Sequence, residues 1–177
     1  CFPTKLRTFS MSFDYKIEES KLEGVEIYTP DKFTDYRGTM WTHWEQSMNT
    51  PENKISKFTH SRKNVLRGLH GDNETWKHIT CVYGAFYLVV VDYDKNSPTF
   101  LEWVSFTLDD KNCKSVLVPP GFLNGHLCLS DECVFHYTQS YPNEYVDWQD
   151  QITAKWNDPL LKISWPIDNP ILSERDK

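Results

Sequence analysis

The sequence predicts an all-β fold, a β-sandwich or small barrel with short peripheral helices. Two observations predict the strands. From Asn64 onward, runs of β-branched and aromatic residues recur at short intervals, separated by turn residues. Aromatics supply 15% of the 177 residues, enough to fill a core and too many for a disordered chain. A third observation limits the alternatives: no repeat of solenoid or propeller length is present.

The elements follow in chain order. Met11 as a start would leave residues 1–10 as an N-terminal extension, and residues 11–177 read as one domain. Residues 12–29 join a polar, helix-compatible start to a short apolar stretch at 25–28. "TPDKFTDYRG" (29–38) is turn-rich, with Pro30, Asp31, Asp35 and Gly38. Residues 44–57 are polar and are expected to form a loop or a short helix. "HITCVYGAFYLVVVDY" (78–93) reads as two strands, or one bent strand, broken at Gly84. In "FLEWVSFTLDD" (100–110), Phe100, Val104, Phe106 and Leu108 share one face, opposite Leu101, Trp103, Ser105 and Thr107. "SVLVPPG" is a strand closed by a Pro-Pro-Gly turn, and "HLCLSDECVFHYTQSY" is a hairpin turning at residues 130–132. Its second arm places Phe135, Tyr137, Gln139 and Tyr141 on one face and His136 on the other. The tail, 147–177, carries a helical turn and then an extended Trp-Pro segment.

Composition excludes several classes of function. A net charge of −6 argues against a general nucleic-acid binder, which needs a basic face. Apolar runs such as 88–91 are too short to span a bilayer as a helix. Five cysteines, odd in number and without a C-x-x-C pair, read as reduced thiols. The N-terminus has no apolar core of a secretory signal, so the expected compartment is the cytoplasm.

The six histidines form no H-x-H, H-x-x-x-H or H-E-x-x-H pattern, so a catalytic metal is not expected. A basic island is more informative. Lys54, Lys57, Arg62, Lys63, Arg67 and Lys77 face only Asp72 and Glu74 between residues 54 and 77. Such an island can hold a diphosphate, with arginine favoured for its planar fork. It can equally be a solvated edge strand studded with lysine. Neutral histidine accepts a proton and tyrosine donates one, so His70 and Tyr137 are a candidate base and acid. Each alone is more often structural than catalytic. Residue chemistry therefore leads to a β-barrel with an anion-friendly cleft, and leaves catalysis open.

An ordered set of motifs goes further. "DYRG" (35–38), "NVLRGLH" (64–70), "SPTFLEWVSFTLDDKN" (97–112), "VPPGFLNGHLCLS" (118–130), "FHYTQSY" (135–141), "WNDPLLKISWP" (156–166) and "PILSERD" (170–176) span most of the chain. In that order they resemble the nucleotide-sugar 3,5-epimerases typified by dTDP-4-dehydrorhamnose 3,5-epimerase. The resemblance implies a cupin-type jelly roll that inverts C3, C5 or both in a nucleotide-diphospho-4-keto sugar, without a metal or redox cofactor. It implies His70 as base, Tyr137 as acid, Lys77 beside the substrate carbonyl and Asp158 as the carboxylate that orients His70. It further implies Arg37 and Arg67 as diphosphate contacts, Arg37 reaching across a homodimer interface, and Asn124 as a substrate contact.

Three departures from the family pattern narrow the reading. Asn124 stands where a histidine is usual, residues 39–42 are Thr-Met-Trp-Thr, and the loop from His70 to Lys77 is short. "GDNETWKHITCVYG" is similar to the branch acting on GDP-linked 4-keto-heptoses in capsule biosynthesis. Alternatives on a similar barrel are a sugar 3,4-ketoisomerase, a non-catalytic sugar-binding cupin and a metal-dependent oxygenase.

Overall fold

The computed structural model describes residues 15–45 and 51–177. The proposed extension, residues 1–10, lies outside the described residues. Among the described residues, thirteen strands run β1 (Tyr15–Glu19), β2 (Glu26–Pro30), β3 (Lys32–Asp35), β4 (Gly38–Trp41), β5 (Asn53–Arg62), β6 (Leu66–Gly71), β7 (Trp76–Tyr83), β8 (Ala85–Asp92), β9 (Trp103–Asp109), β10 (Ser115–Val118), β11 (Phe122–Cys128), β12 (Glu132–Ser140) and β13 (Ile152–Thr153). The expected peripheral helices reduce, among the described residues, to one 3-10 turn, Glu174–Asp176.

Two sheets face each other. One has the order β1-β2-β10-β7-β12-β5, the other β13-β6-β11-β8-β9, and β3-β4 form a separate hairpin. Their inner faces enclose Ile79, Phe86, Leu88, Val90, Val116 and Phe135, all buried. Full burial of such a side chain contributes about 1.5–3 kcal/mol, which makes this layer the main stabilising term. The tail then folds over the outer face of the five-stranded sheet. There Ala154 and Leu161 cover Leu69, Val89, Val91 and Leu123. Further along, Ile171 bridges to Val65 and lays the last residues beside the start of β6.

Three local expectations are corrected. Residues 15–19, in the segment read as a helix-compatible start, form β1, paired antiparallel with β2. Residues 53–57, expected as loop or helix, begin the ten-residue edge strand β5. Its inner face carries Lys57, Thr59 and Ser61 after Ile55, so no sustained hydrophobic alternation marks it. Residues 126–141, expected as a hairpin, are not one: β11 pairs with β6 and β8 in one sheet and β12 with β5 and β7 in the other, so the turn at 130–132 carries the chain from sheet to sheet. The break at Gly84 and the inward facing of Phe135, Tyr137 and Gln139 stand as expected. Four cysteines, at 81, 113, 128 and 133, are free and buried. No helix among the described residues is long and apolar enough to cross a membrane.

The outer face of the six-stranded sheet holds a histidine stack. His43, after β4, stacks on His78 with centroids 4.5 Å apart and planes 4° apart. His136 meets His43 edge-on at 5.3 Å and accepts or donates at Ser56 Oγ, 2.9 Å away. Tyr28 abuts the His78 ring and Phe58 the His136 ring. Burial, with repulsion from His136 added, pushes His43 down to about 4. Burial likewise drives His78 well below the ordinary histidine range, and His136 lower. A histidine whose folded pKa lies below its unfolded value takes up its proton first in the unfolded chain. Its contribution to stability is therefore complete above about pH 6.5 and is lost as pH falls below that. A His78→Phe variant keeps the stack without the titration. Between pH 7 and pH 5 it should lose about 2 kcal/mol less stability than the parent, read from urea midpoints. An equal loss in both proteins would remove the stack as the acid-labile element.

Candidate active site

Beyond the apolar core the two inner faces part around a cavity of about 280 Å³. Strand β6 supplies Arg67 and His70 to it, β7 Lys77, β11 Asn124 and His126, and β12 Phe135, Tyr137 and Gln139. Residues three apart on a regular strand point to opposite faces, yet Arg67 and His70 both line the cavity. The strand is re-phased between them. Gly68 has φ +122°, open to glycine, and a Cβ there would lie 2.4 Å from Gly125 Cα on β11. The β6–β11 register shifts at the same place, between Asn124 and His126. Leu69 is thereby turned outward into the cluster under the tail, and His70 inward. The glycine of R-G-L-H is thus a geometric requirement for setting arginine and histidine side by side.

Both ring nitrogens of His70 are engaged. Nε2 lies 2.7 Å from Asp176 Oδ1, and Nδ1 lies 3.2 Å from Thr153 Oγ1. The Asp176 contact is bent, and Oδ1 has no other partner, while Oδ2 accepts from the Ser173 hydroxyl at 2.9 Å. Burial alone would raise the Asp176 carboxyl. The His70 and Ser173 contacts outweigh it and hold the group below the usual carboxylate range. An ionised Asp176 accepts the proton of Nε2, which leaves the lone pair on Nδ1. This corrects the expectation for Asp158. That residue sits in a turn where its Oδ1 accepts from the Leu160 amide, 2.8 Å away, beside a shallow depression lined by Trp156 and Pro159. The docking of Ile171 on β6 is what delivers Asp176 to His70 instead.

Lys77 is 7% exposed, and its ammonium donates to Asn124 Oδ1 (2.9 Å) and to the His70 carbonyl (3.3 Å). Burial is the dominant influence and brings its pKa down to about 8, against the pull of Asp72. It remains largely protonated at neutral pH, a cation with little competing water. Burial raises the Tyr137 phenol and Lys57 partly offsets that, so the hydroxyl keeps its proton to give. Asn124 thus acts first as an acceptor that steers Lys77.

The basic island divides. Lys57, Arg67 and Lys77 turn into the cavity, Arg67 Nε donating to Ser61 Oγ at 3.0 Å. Lys54 lies over the Tyr141 ring and Lys63 pairs with Asp131, both away from it. Arg37 is not brought there within the chain. It lies on the exposed β3–β4 hairpin, bound to Asp35 Oδ2 at 2.6 Å. Sequence reasoning singled out neither Arg175 and Trp148, which line the cavity, nor Asp176 and Thr153, which contact His70; the return of the tail places all four. Among the described residues no group of three or more histidine, cysteine, aspartate or glutamate side chains is arranged to hold a metal ion.

Known proteins share the sequence pattern and the fold of this chain. A family model described as dTDP-4-dehydrorhamnose 3,5-epimerase matches residues 19–177. The enzyme of that name from Methanothermobacter thermautotrophicus is 32% identical over 176 residues, covering 93% of this chain and 92% of the other. A dTDP-4-dehydrorhamnose 3-epimerase from Streptomyces niveus is 33% identical, covering 88% of this chain and 78% of the other. Among solved structures, the dTDP-6-deoxy-D-glucose-3,5-epimerase of Legionella pneumophila, in complex with dTDP-4-keto-L-rhamnose, superposes with a TM-score of 0.86. It is 27% identical and covers 92% of this chain and 90% of that one.

Proposed function

The chain belongs to the dTDP-4-dehydrorhamnose 3,5-epimerase family, and from that premise we propose that it inverts C3, C5 or both in a nucleotide-diphospho-4-keto sugar. One observation carries the reading. His70 stands on the five-stranded sheet, whereas Tyr137 and Lys77 stand on the six-stranded sheet opposite. A sugar ring lying between them offers one face to the base and the other to the acid, which is what inversion needs. The C4 ketone acidifies the hydrogens on its neighbouring carbons. His70 Nδ1 takes one, the Thr153 hydroxyl yielding, and Lys77 stabilises the oxygen of the enolate. Tyr137 returns a proton to the other face. No metal or redox group takes part in these steps.

Arg67 and Lys57 at the cavity favour a diphosphate. Arg37 would join them in a homodimer in which the β3–β4 hairpin of one subunit reaches the other's site. The exposed Phe33, Tyr36 and Met40 of that hairpin suit such a contact. The likeness of residues 71–84 to the GDP-linked 4-keto-heptose branch is the ground for proposing that substrate, while the named relatives are dTDP-sugar epimerases.

The test is proton NMR of GDP- and dTDP-linked 4-keto sugars with enzyme in deuterated water, repeated with Tyr137→Phe. The parent should exchange and invert the same carbons. In the variant the enolate still forms, so deuterium should enter recovered substrate at least about tenfold faster than inverted product accumulates. Undiminished inversion at both carbons would take Tyr137 out of the mechanism. Migration of the carbonyl to C3 would replace epimerisation by ketoisomerisation.

A further inference from the structure

We propose that Thr153 is a positioning residue that orients the His70 ring at Nδ1 and passes the abstracted proton between His70 and solvent; this rests on the proton-transfer reading above. Thr153 ends β13 and sits opposite His70 in the β13–β6 pairing. Its hydroxyl lies between two groups, His70 Nδ1 at 3.2 Å and Arg175 Nη2 at 3.3 Å. A guanidinium only donates, so Thr153 Oγ1 must accept from Arg175. The single proton of the hydroxyl is then free to point at Nδ1. On the other side of the ring, Asp176 takes the proton of Nε2 and is itself held by Ser173.

Every donor in the chain is thus directed one way, from Arg175 through Thr153 to Nδ1, and from Nε2 to Asp176. The 3-10 turn places Arg175 and Asp176 side by side, so one turn grips both edges of the imidazole. Arg175 is itself anchored, by Gln151 Oε1 at 3.4 Å and by the Trp148 ring at 5.5 Å.

The same hydroxyl serves the charged state. When Nδ1 takes the α-proton, the C–H electron pair stays with the substrate as the enolate. The new Nδ1–H can donate to Thr153 Oγ1, which has a second lone pair besides the one facing Arg175. The Thr153 proton then turns to water, because this residue is exposed while the cavity side is covered by substrate. Transfer of Nδ1–H to Oγ1 as the hydroxyl proton leaves for water regenerates neutral His70 and an intact threonine. The reverse transfer brings a solvent proton to the base.

Thr153→Val keeps the shape and removes the hydroxyl, and Thr153→Ser keeps the hydroxyl. In deuterated water the parent should wash deuterium into recovered substrate while inversion proceeds. In Thr153→Val the base returns the proton it took. Washout should therefore fall roughly tenfold or more relative to inversion, and Thr153→Ser should restore the ratio. A loss of both rates in equal proportion in Thr153→Val, no recovery in Thr153→Ser, or a parent that inverts without washout would each overturn the proposal.

A parent that neither exchanges nor inverts any of these sugars would count against the proposed function instead. Thr153 is then judged without substrate, by nitrogen NMR of ring-labelled histidine. The Nδ1 resonance of His70 should shift in Thr153→Val and return in Thr153→Ser. A resonance indifferent to both changes would overturn the contact.

Discussion

His70→Asn is expected to lower α-proton exchange by about 10³-fold, within the range for loss of a general base, while the protein stays folded. Asparagine keeps a polar group opposite Asp176 and Thr153, so the loss reports chemistry rather than collapse. The two candidate carboxylates separate in the same assay. Asp176→Asn removes the acceptor that holds the proton on Nε2, and should cost about 10–100-fold, as loss of an orienting partner does. Asp158→Asn should change the rate less than about twofold, because that side chain caps a turn and lines a depression separate from the cavity. Equal losses at 158 and 176 would overturn the assignment. Substantial exchange by folded His70→Asn would move the base to another residue.

Lys77→Met should be nearly as damaging, lowering kcat about 10²–10³-fold, the usual loss when one donor to an oxyanion is removed. Methionine retains much of the buried stem, which limits the cavity left behind. The parent should also show a pH signature. As pH rises through about 8 the Lys77 ammonium loses its proton, and kcat/KM should fall with it. Stability runs the other way over the same interval. The folded pKa is below the unfolded one, so the unfolded chain binds more protons between about 8 and the ordinary lysine value. Burying the charge costs stability at neutral pH, and that cost disappears as pH rises through this window. A kcat/KM profile flat from pH 7 to 9.5 would show that Lys77 is not the group that stabilises the enolate.

Which of these residues could be read in advance depended on the kind of signal each carried. Strands β7, β8 and β12 were legible because one face or both are apolar and their ends are marked by Gly84 and the 130–132 turn. Strand β5 was not, since its inward face lines a polar cavity and its outward face meets solvent. Both faces are mixed, with Ile55 among polar residues inside and Phe58 among them outside. In the site, His70, Lys77, Arg67, Asn124 and Tyr137 were named by the resemblance to the family, and strand register brings all five to one cavity. Asp176 did not, because its position depends on where a long irregular tail docks. Asp158 lay closer in sequence to the catalytic strands, and the pairing of Ile171 with Val65 decided against it.

The kink at Gly68 leaves its strand no freedom to drift. Across most packed contacts a residue that grows on one side can be tolerated when its neighbour shrinks, and paired changes keep the contact alive. Opposite Gly68 the neighbour is Gly125, which has nothing left to give up, and the approach is backbone to backbone. A methyl group at 68 would push the strands apart and undo the phase change that turns His70 inward. No second-site change on β11 could compensate. Two residues without side chains therefore carry as strict a demand on this enzyme as the imidazole they aim, and a scan for reactive groups alone would pass over both.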